Sequence, residues 1–280
     1  MGIKVLDCTL RDGAYVVDGE FGIKRICNII NSLQDSGVDI IECGWLRDCL
    51  SGENSVFYNI PEELNYYIDK KTSEFALMFD YGRYNIEKLP QNIGLVDIIR
   101  IAFYKKSLDE ISFAVEKVKS KGYKVFLQPS NVKEYKEKDL IKLCKRANYI
   151  GADACYVVDS FGSMFPEELE KIIPIFDEEV DPNIQIGFHS HNNIQLSFGL
   201  SIKFINEMKR DIVVDSSLSG IGRGAGNTKT ELLLEYLNRY KGGEYKTDLI
   251  WKALENKILP DENWEYSVEK GLKGINNIHP

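Results

Sequence analysis

Eight times along this chain a short apolar run gives way to a segment of helical spacing, and that alternation limits the fold more than any other feature. The apolar runs are Ile3–Asp7, Val38–Cys43, Glu74–Phe79, Val96–Ala102, Lys124–Leu127, Asp153–Val158, Gln185–Phe188 and Asp211–Asp215. Rich in Ile, Val and Leu and bounded by turn residues, they read as strands. Helical patterns cover Ile23–Leu33, Pro61–Asp69, a short stretch ending near Pro90, Asp109–Lys119, Glu137–Tyr149, Pro166–Phe176, Ile194–Met208 and Thr228–Tyr240. Residues 8–22 read as a polar, glycine-containing loop. Strands that alternate with helices imply a parallel sheet, and eight units in about 240 residues fit a closed (β/α)8 TIM barrel better than an open sheet. Gly220-Ile221-Gly222-Arg223-Gly224 is superficially a dinucleotide loop, but it follows the eighth strand with no further sheet to build. The expected organisation is a barrel domain over 1–241 and a helical extension over 242–280 that caps or braces it. The extension carries Tyr245, Trp251, Trp264 and Tyr266.

In such a barrel the chemistry sits at the carboxyl ends of the strands. Those ends carry Arg11 and Asp12, Glu42, Asp80, Arg100, Gln128, Asp159 and Ser160, His189 and His191, then Asp215 and Asn227. Two of the chain's three histidines fall in Phe188-His189-Ser190-His191. Alternate residues of a strand share a face, so both imidazoles stand on one side. Spacing of two is by itself a weak signal. Joined by one carboxylate and one amide oxygen, the pair makes a mixed nitrogen and oxygen donor set. That set suits a borderline-hard divalent ion, with Mn2+ first and Mg2+, Co2+ or Zn2+ as alternatives. An arginine beside such an ion can carry charge that develops on a substrate oxygen. Glu42 and Arg100 have a plainer alternative, an ion pair in the barrel lumen.

Composition removes several classes. A net charge of −8 with no basic, aromatic-laced stripe argues against nucleic acid. No apolar run approaches the roughly 20 residues of a membrane span. The amino terminus runs straight into a strand with no signal-peptide pattern, and the six cysteines are scattered without a Cys-x-x-Cys pair. The expectation is a cytoplasmic protein, assembled as a homo-oligomer as barrels often are.

Three blocks carry a resemblance. Asp7-Cys8-Thr9-Leu10-Arg11-Asp12-Gly13, Gly187-Phe188-His189-Ser190-His191-Asn192 and Gly220-Ile221-Gly222-Arg223-Gly224-Ala225-Gly226-Asn227-Thr228 resemble the motifs of the DRE-TIM metallolyase superfamily. Within it, Tyr156-Val157-Val158-Asp159-Ser160 and Val214-Asp215-Ser216-Ser217-Leu218-Ser219-Gly220 are most similar to the 4-hydroxy-2-oxovalerate aldolases. The resemblance implies Asp12, His189 and His191 as metal ligands, with Asn227 bringing a further oxygen. It implies Arg11 at the enolate oxygen and Ser160 near the carboxylate of a 2-oxo acid. Arg100 is expected to bind substrate as well. The activity implied is cleavage or formation of a C–C bond next to a 2-oxo acid such as pyruvate, with an aldehyde as second partner.

The sequence departs from that pattern in places. Tyr15 stands where the family aldolases carry an acid/base histidine, so Tyr15 and Glu42 are the candidates for handling the proton. The glycine loop lacks the cysteine of the CoA-ester lyases, and Ala14-Tyr15 replaces the Glu-Gln of the synthases. The carboxy-terminal part is shorter than in aldolases that channel their aldehyde to a dehydrogenase. Two alternatives remain open here: an acyl-CoA-dependent Claisen-type synthase, and a barrel that binds metal or ligand without catalysis.

Overall fold

The computed structural model describes residues 2–48, 52–68 and 71–279. Its strands are β1 (Ile3–Asp7), β2 (Ile40–Leu46), β3 (Phe57–Tyr58), β4 (Glu74–Asp80), β5 (Ile98–Phe103), β6 (Lys124–Pro129), β7 (Ala154–Asp159), β8 (Gln185–Ser190) and β9 (Ile212–Ser216). Around the ring they run β1-β9-β8-β7-β6-β5-β4-β2, all parallel, and β1 closes the ring on β2. The eight expected strands are therefore the eight staves of a closed barrel. The two-residue β3 was not expected; it pairs with Trp45 and Leu46 at the carboxyl end of β2.

The helices are α1 (Thr9–Val17), α2 (Ile23–Asp35), α3 (Ser112–Ser120), α4 (Glu137–Tyr149), α5 (Pro166–Glu179), α6 (Ser197–Glu207), α7 (Thr230–Tyr240), α8 (Thr247–Glu255) and α9 (Val268–Ile275). Two expected helices are only 3-10 turns, Pro61–Tyr66 and Ile86–Lys88. Asp69, the end of the expected Pro61–Asp69 helix, lies outside the described residues. The larger correction is α1, which occupies the first half of the expected loop. Its glycine is a packing requirement, since a Cβ on Gly13 would stand 2.8 Å from Phe21 and 3.2 Å from Ile221. Asp7 helps start the helix, because its Oδ1 accepts the Thr9 N–H at 2.9 Å. Asp18 ends it in the left-handed region at φ 51.

Alternation along β8 divides core from lumen as expected. Phe188 points outward and stacks on Phe204 of α6 at 5.0 Å. Its neighbours Gly187 and His189 face inward, against Tyr156 and Asp215. The outer layer is Ile, Val, Leu and Phe, whereas the lumen holds the buried charges Glu42, Arg100 and Asp215. The residues beyond 242 run from one end of the barrel to the other. Tyr245 donates to Asp39 Oδ2 at 2.7 Å, just ahead of β2. Farther on, Trp264 donates to the Ser219 carbonyl at 3.2 Å and Asn277 accepts from Ser163 Oγ at 2.8 Å. Those last contacts are with loops at the carboxyl ends of β9 and β7.

Candidate active site

A cavity of about 570 Å3 opens at the carboxyl ends of the strands. Its walls include Arg11, Asp12, Tyr15, Ser160, His189 and His191. Asp12, His189 and His191 are all buried, and one ligand atom from each lies within 4.8 Å of the others. Asp12 arrives on the first turn of α1 and both histidines at the end of β8. Asn227 joins them through an antiparallel bridge with His191.

The donor set fits a metal ion on several independent grounds. His189 and His191 face each other with Nε2 atoms 3.4 Å apart. Two nitrogens about 2.1 Å from a common ion at a tetrahedral angle would be separated by about the same distance. Asp215 Oδ2 lies 3.0 Å from His189 Nδ1. A carboxylate only accepts, so Nδ1 carries the proton and Nε2 keeps its lone pair for a ligand role. Burial, against the pull of Asp12, holds His191 well below its ordinary value and therefore neutral. Burial alone would raise Asp12, but the cationic Arg11, bonded to it, pulls its carboxyl well below the usual range. Asn227 Nδ2 donates to Asp12 Oδ2 at 2.6 Å and to the Ile221 carbonyl at 3.1 Å. Its Oδ1 is left buried with no partner. An unpaired buried acceptor beside an ionised carboxylate is unfavourable unless a cation or donor completes it. Gly222 closes the site from the loop side: a Cβ there would stand 2.4 Å from Asp12 Oδ2 and 2.3 Å from Asn227 Nδ2.

Beneath this set runs a chain of buried charge. Arg11 donates from Nη1 to Asp12 at 2.5 Å and from Nε to Glu42 Oε2 at 2.7 Å. Arg100 donates to the same Glu42 oxygen at 2.8 Å and to Asp215 Oδ2 at 2.5 Å. Asp215 then holds His189. Arg100 thus links, through two carboxylates, the arginine and the histidine that reach the cavity. It is fully buried under the Tyr156 ring and, like Glu42, does not line the cavity. The expectation that Arg100 touches substrate and that Glu42 takes a proton from it does not match this placement. Their lumen positions make them supports of the groups above, the plainer alternative the sequence offered.

Tyr15 does line the cavity. It packs edge-on against Trp45 with centroids 5.9 Å apart, and the Arg223 guanidinium lies 5.3 Å from its ring. The residue is 44% exposed, yet partial desolvation pushes its phenol above the ordinary value against the pull of Arg223. That direction disfavours the phenolate a base would need. Ser160 also lines the cavity, and its Oγ accepts the Asn131 N–H at 2.8 Å. Arg223, Lys106 and His279 are among the wall residues that escaped sequence reasoning. Arg223 sat in plain view inside the glycine loop. His279, the third histidine, reaches the cavity only because the carboxy-terminal segment crosses the barrel mouth.

Comparison with known proteins agrees with this geometry. The HMGL-like family model matches residues 102–255. A 4-hydroxy-2-oxovalerate aldolase from Pelotomaculum thermopropionicum is 31% identical over 246 residues, covering 85% of this chain and 70% of that protein. The chain belongs to the HMGL-like family. A second 4-hydroxy-2-oxovalerate aldolase, from Geobacillus genomosp. 3, is 30% identical over 247 residues, with 85% and 71% covered. Among solved structures, the N-terminal domain of a candidate aldolase from Bacteroides vulgatus superposes with a TM-score of 0.84 at 29% identity, covering 99% of this chain and 93% of that one. HMG-CoA lyase from Brucella melitensis shares the fold, with a TM-score of 0.72 at 16% identity over 91% of this chain and 98% of that one. Among the described residues no helix is long and apolar enough to cross a membrane.

Proposed function

We propose that this protein is a divalent-metal-dependent aldolase that cleaves or forms the C–C bond between an aldehyde carbon and the methyl carbon of pyruvate or a close 2-oxo acid. The observation that carries the reading is the buried convergence of Asp12, His189 and His191 beside the unpaired Asn227 Oδ1. Those four residues would hold the ion, Mn2+ by preference. The ion, when bound, supplies Lewis-acid polarisation of the 2-oxo acid. Arg11 meets the charge that develops on the enolate oxygen. Glu42 and Asp12 fix its guanidinium beforehand, so little reorganisation is needed when that charge appears. Ser160 is placed at the cavity wall for the carboxylate end. Tyr15, kept protonated, donates to the substrate hydroxyl or carbonyl. Glu42 and Arg100 orient Arg11 and His189 from below. The reading includes a cytoplasmic homo-oligomer, in keeping with the absence of a spanning helix among the described residues and with the habits of barrels.

Solvent exchange tests the proposal directly. With metal added, the protein should exchange the methyl protons of pyruvate, or of a near relative, for deuterium, read by NMR. His189→Ala and His191→Ala should lose both the exchange and most of the roughly one bound ion per chain. Exchange that persists in both variants at unchanged metal content would refute the assignment.

A further inference from the structure

The cavity is cationic in an acidic protein. Arg11, Arg83, Lys106 and Arg223 line it, against Asp12 and Asp80, while the chain as a whole carries a formal charge of −8. Two of these cations are already matched. Arg11 is bonded to Asp12 and Glu42, and Arg83 lies 3.6 Å from Asp80. Among the described residues neither Arg223 nor Lys106 forms an ion pair with a carboxylate.

Arg223 is held as a binding group is held. Its Nη2 donates to the Ser160 carbonyl at 2.9 Å and its Nη1 lies 3.0 Å from His279 Nε2, neither of them a carboxylate. Its face rests against Tyr15, and its Nε is buried without a partner. A guanidinium fixed in this way loses little freedom on taking a carboxylate or phosphate. Lys106 is different: an exposed point charge in the 3-10 turn Lys105–Ser107 that follows β5. The ring order places β5 four staves from β9 in either direction, so Lys106 stands across the mouth from the loop that carries Arg223. An eight-stave barrel is about 15 Å across from its strand spacing and tilt. The two cations thus enter one cavity from loops on opposite sides of its mouth, as two separate points of contact for a substrate.

We infer, on the basis of the aldolase reading, that the substrate bears two acid groups, one on the 2-oxo acid half received by Arg223 and one on the aldehyde half received by Lys106. The second group takes no part in the bond changes. In cleavage the hydroxyl proton goes to a base, the bond between the carbinol carbon and the carbon next to the ketone breaks, and its electron pair becomes the enolate. The carbinol carbon departs as an aldehyde that keeps its acid group, and the enolate carbon takes up a proton to give the 2-oxo acid.

Two measurements test this, one of them independent of turnover. Equilibrium binding to the metal-loaded protein compares a six-carbon 2-oxo monocarboxylate with the 2-oxo dicarboxylate of the same length. At low ionic strength the dicarboxylate should bind about 10-fold more tightly, and Lys106→Glu should reverse that preference. Arg223→Gln should weaken both ligands by about 10-fold or more. Condensation of pyruvate with carboxylate-ended, phosphate-ended and neutral aldehydes then identifies the second group; preference for either acid supports the inference. Equal binding of the two probes, a preference for neutral aldehydes, or a preference untouched by Lys106→Glu would overturn it. Wild-type protein that exchanges pyruvate protons but does not discriminate refutes the two-acid substrate and spares the aldolase. Discrimination without exchange of any 2-oxo acid spares the two-anion site and refutes the aldolase.

Discussion

Replacing Arg100 by methionine should separate what holds the barrel from what aims the site. In the native lumen Arg100 donates to Glu42 Oε2 at 2.8 Å and to Asp215 Oδ2 at 2.5 Å, and all three side chains are fully buried. Methionine fills much of the volume but removes the charge. Glu42 keeps Arg11, whereas Asp215 keeps the His189 N–H and the neighbouring Tyr156 hydroxyl, neither of them a cation. The other oxygen of each carboxylate, Glu42 Oε1 and Asp215 Oδ1, has no partner to fall back on. Removing one partner of a buried pair costs about 3–5 kcal/mol, because a desolvated charge is left behind. Urea unfolding at pH 7 should show a loss of that size in midpoint stability at unchanged slope. His189 and Arg11 should also lose their fixed orientation, and loosening the groups that orient a ligand histidine lowers metal affinity by about 10- to 100-fold. Competition with a chromophoric chelator reads that number without any turnover. The triple variant Glu42→Gln, Arg100→Met, Asp215→Asn discriminates further. With no uncompensated charge left in the lumen, it should recover most of the stability and little of the metal affinity. An Arg100→Met protein within 1 kcal/mol of wild type, or a triple variant with native metal affinity, would refute the role given to this network.

Other expectations follow from single contacts. Gly222→Ala should lower metal affinity by at least about 10-fold at near-native stability by urea unfolding, since its Cβ would push into Asp12 Oδ2 and Asn227 Nδ2. Tyr15→Phe should reduce turnover by about 10- to 100-fold with the pH–rate profile unchanged, as for a lost hydrogen-bond donor; complete loss of turnover would make Tyr15 the base, and full activity would make it packing. Asp7 is fully buried, and desolvation pushes its carboxyl up to about 6 in spite of donors from Thr230 and Thr9. Its protonated form is the one the fold favours, so the stability it contributes is present below about pH 4 and lost as pH rises through about 6. Asp7→Asn should therefore gain on wild type by about 3 kcal/mol between pH 4 and pH 7 in urea unfolding, and a constant difference across that range would be the contrary result.

The strands were legible because a stave buried on one face by helices and on the other by the lumen must be short and apolar, and nothing else in the chain has that pattern. The metal set was legible because His189 and His191 lie on one strand, where a period of two puts them on one face. What the sequence obscured follows from long-range packing. Gly13 reads as a helix breaker, yet it is small because Phe21 and Ile221 press against that point of α1. Pro61–Tyr66 has a helical signature but winds as a six-residue 3-10 helix that follows directly on β3, the short strand paired with the end of β2. Glu42 and Arg100 sit at strand ends by position, and only the three-dimensional lumen shows that their bonds run sideways and down rather than toward substrate. His279 lies 88 residues beyond His191, and no local pattern could have brought it to the same cavity.

The site lies across the seam where the barrel closes. Asp12 follows β1, the first stave, and Asn227 follows β9, the last; their side chains meet at 2.6 Å across 215 residues of sequence. The same seam is stitched by the five-residue β1–β9 register, by the Thr9 hydroxyl accepting the Leu218 N–H, and by Thr230 donating to Asp7. Contacts of this sequence separation carry a larger loop-closure cost than the pairings of neighbouring staves along the chain. The four residues proposed to hold the ion therefore come together only in the folded chain, and an ion bound there would stabilise the closed barrel by mass action. Glu42, Arg100 and Asp215 extend that coupling inward from the seam to β2 and β5. A barrel assembled in this way carries its chemistry at the joint whose closure completes the fold, which ties the integrity of the site to that of the barrel.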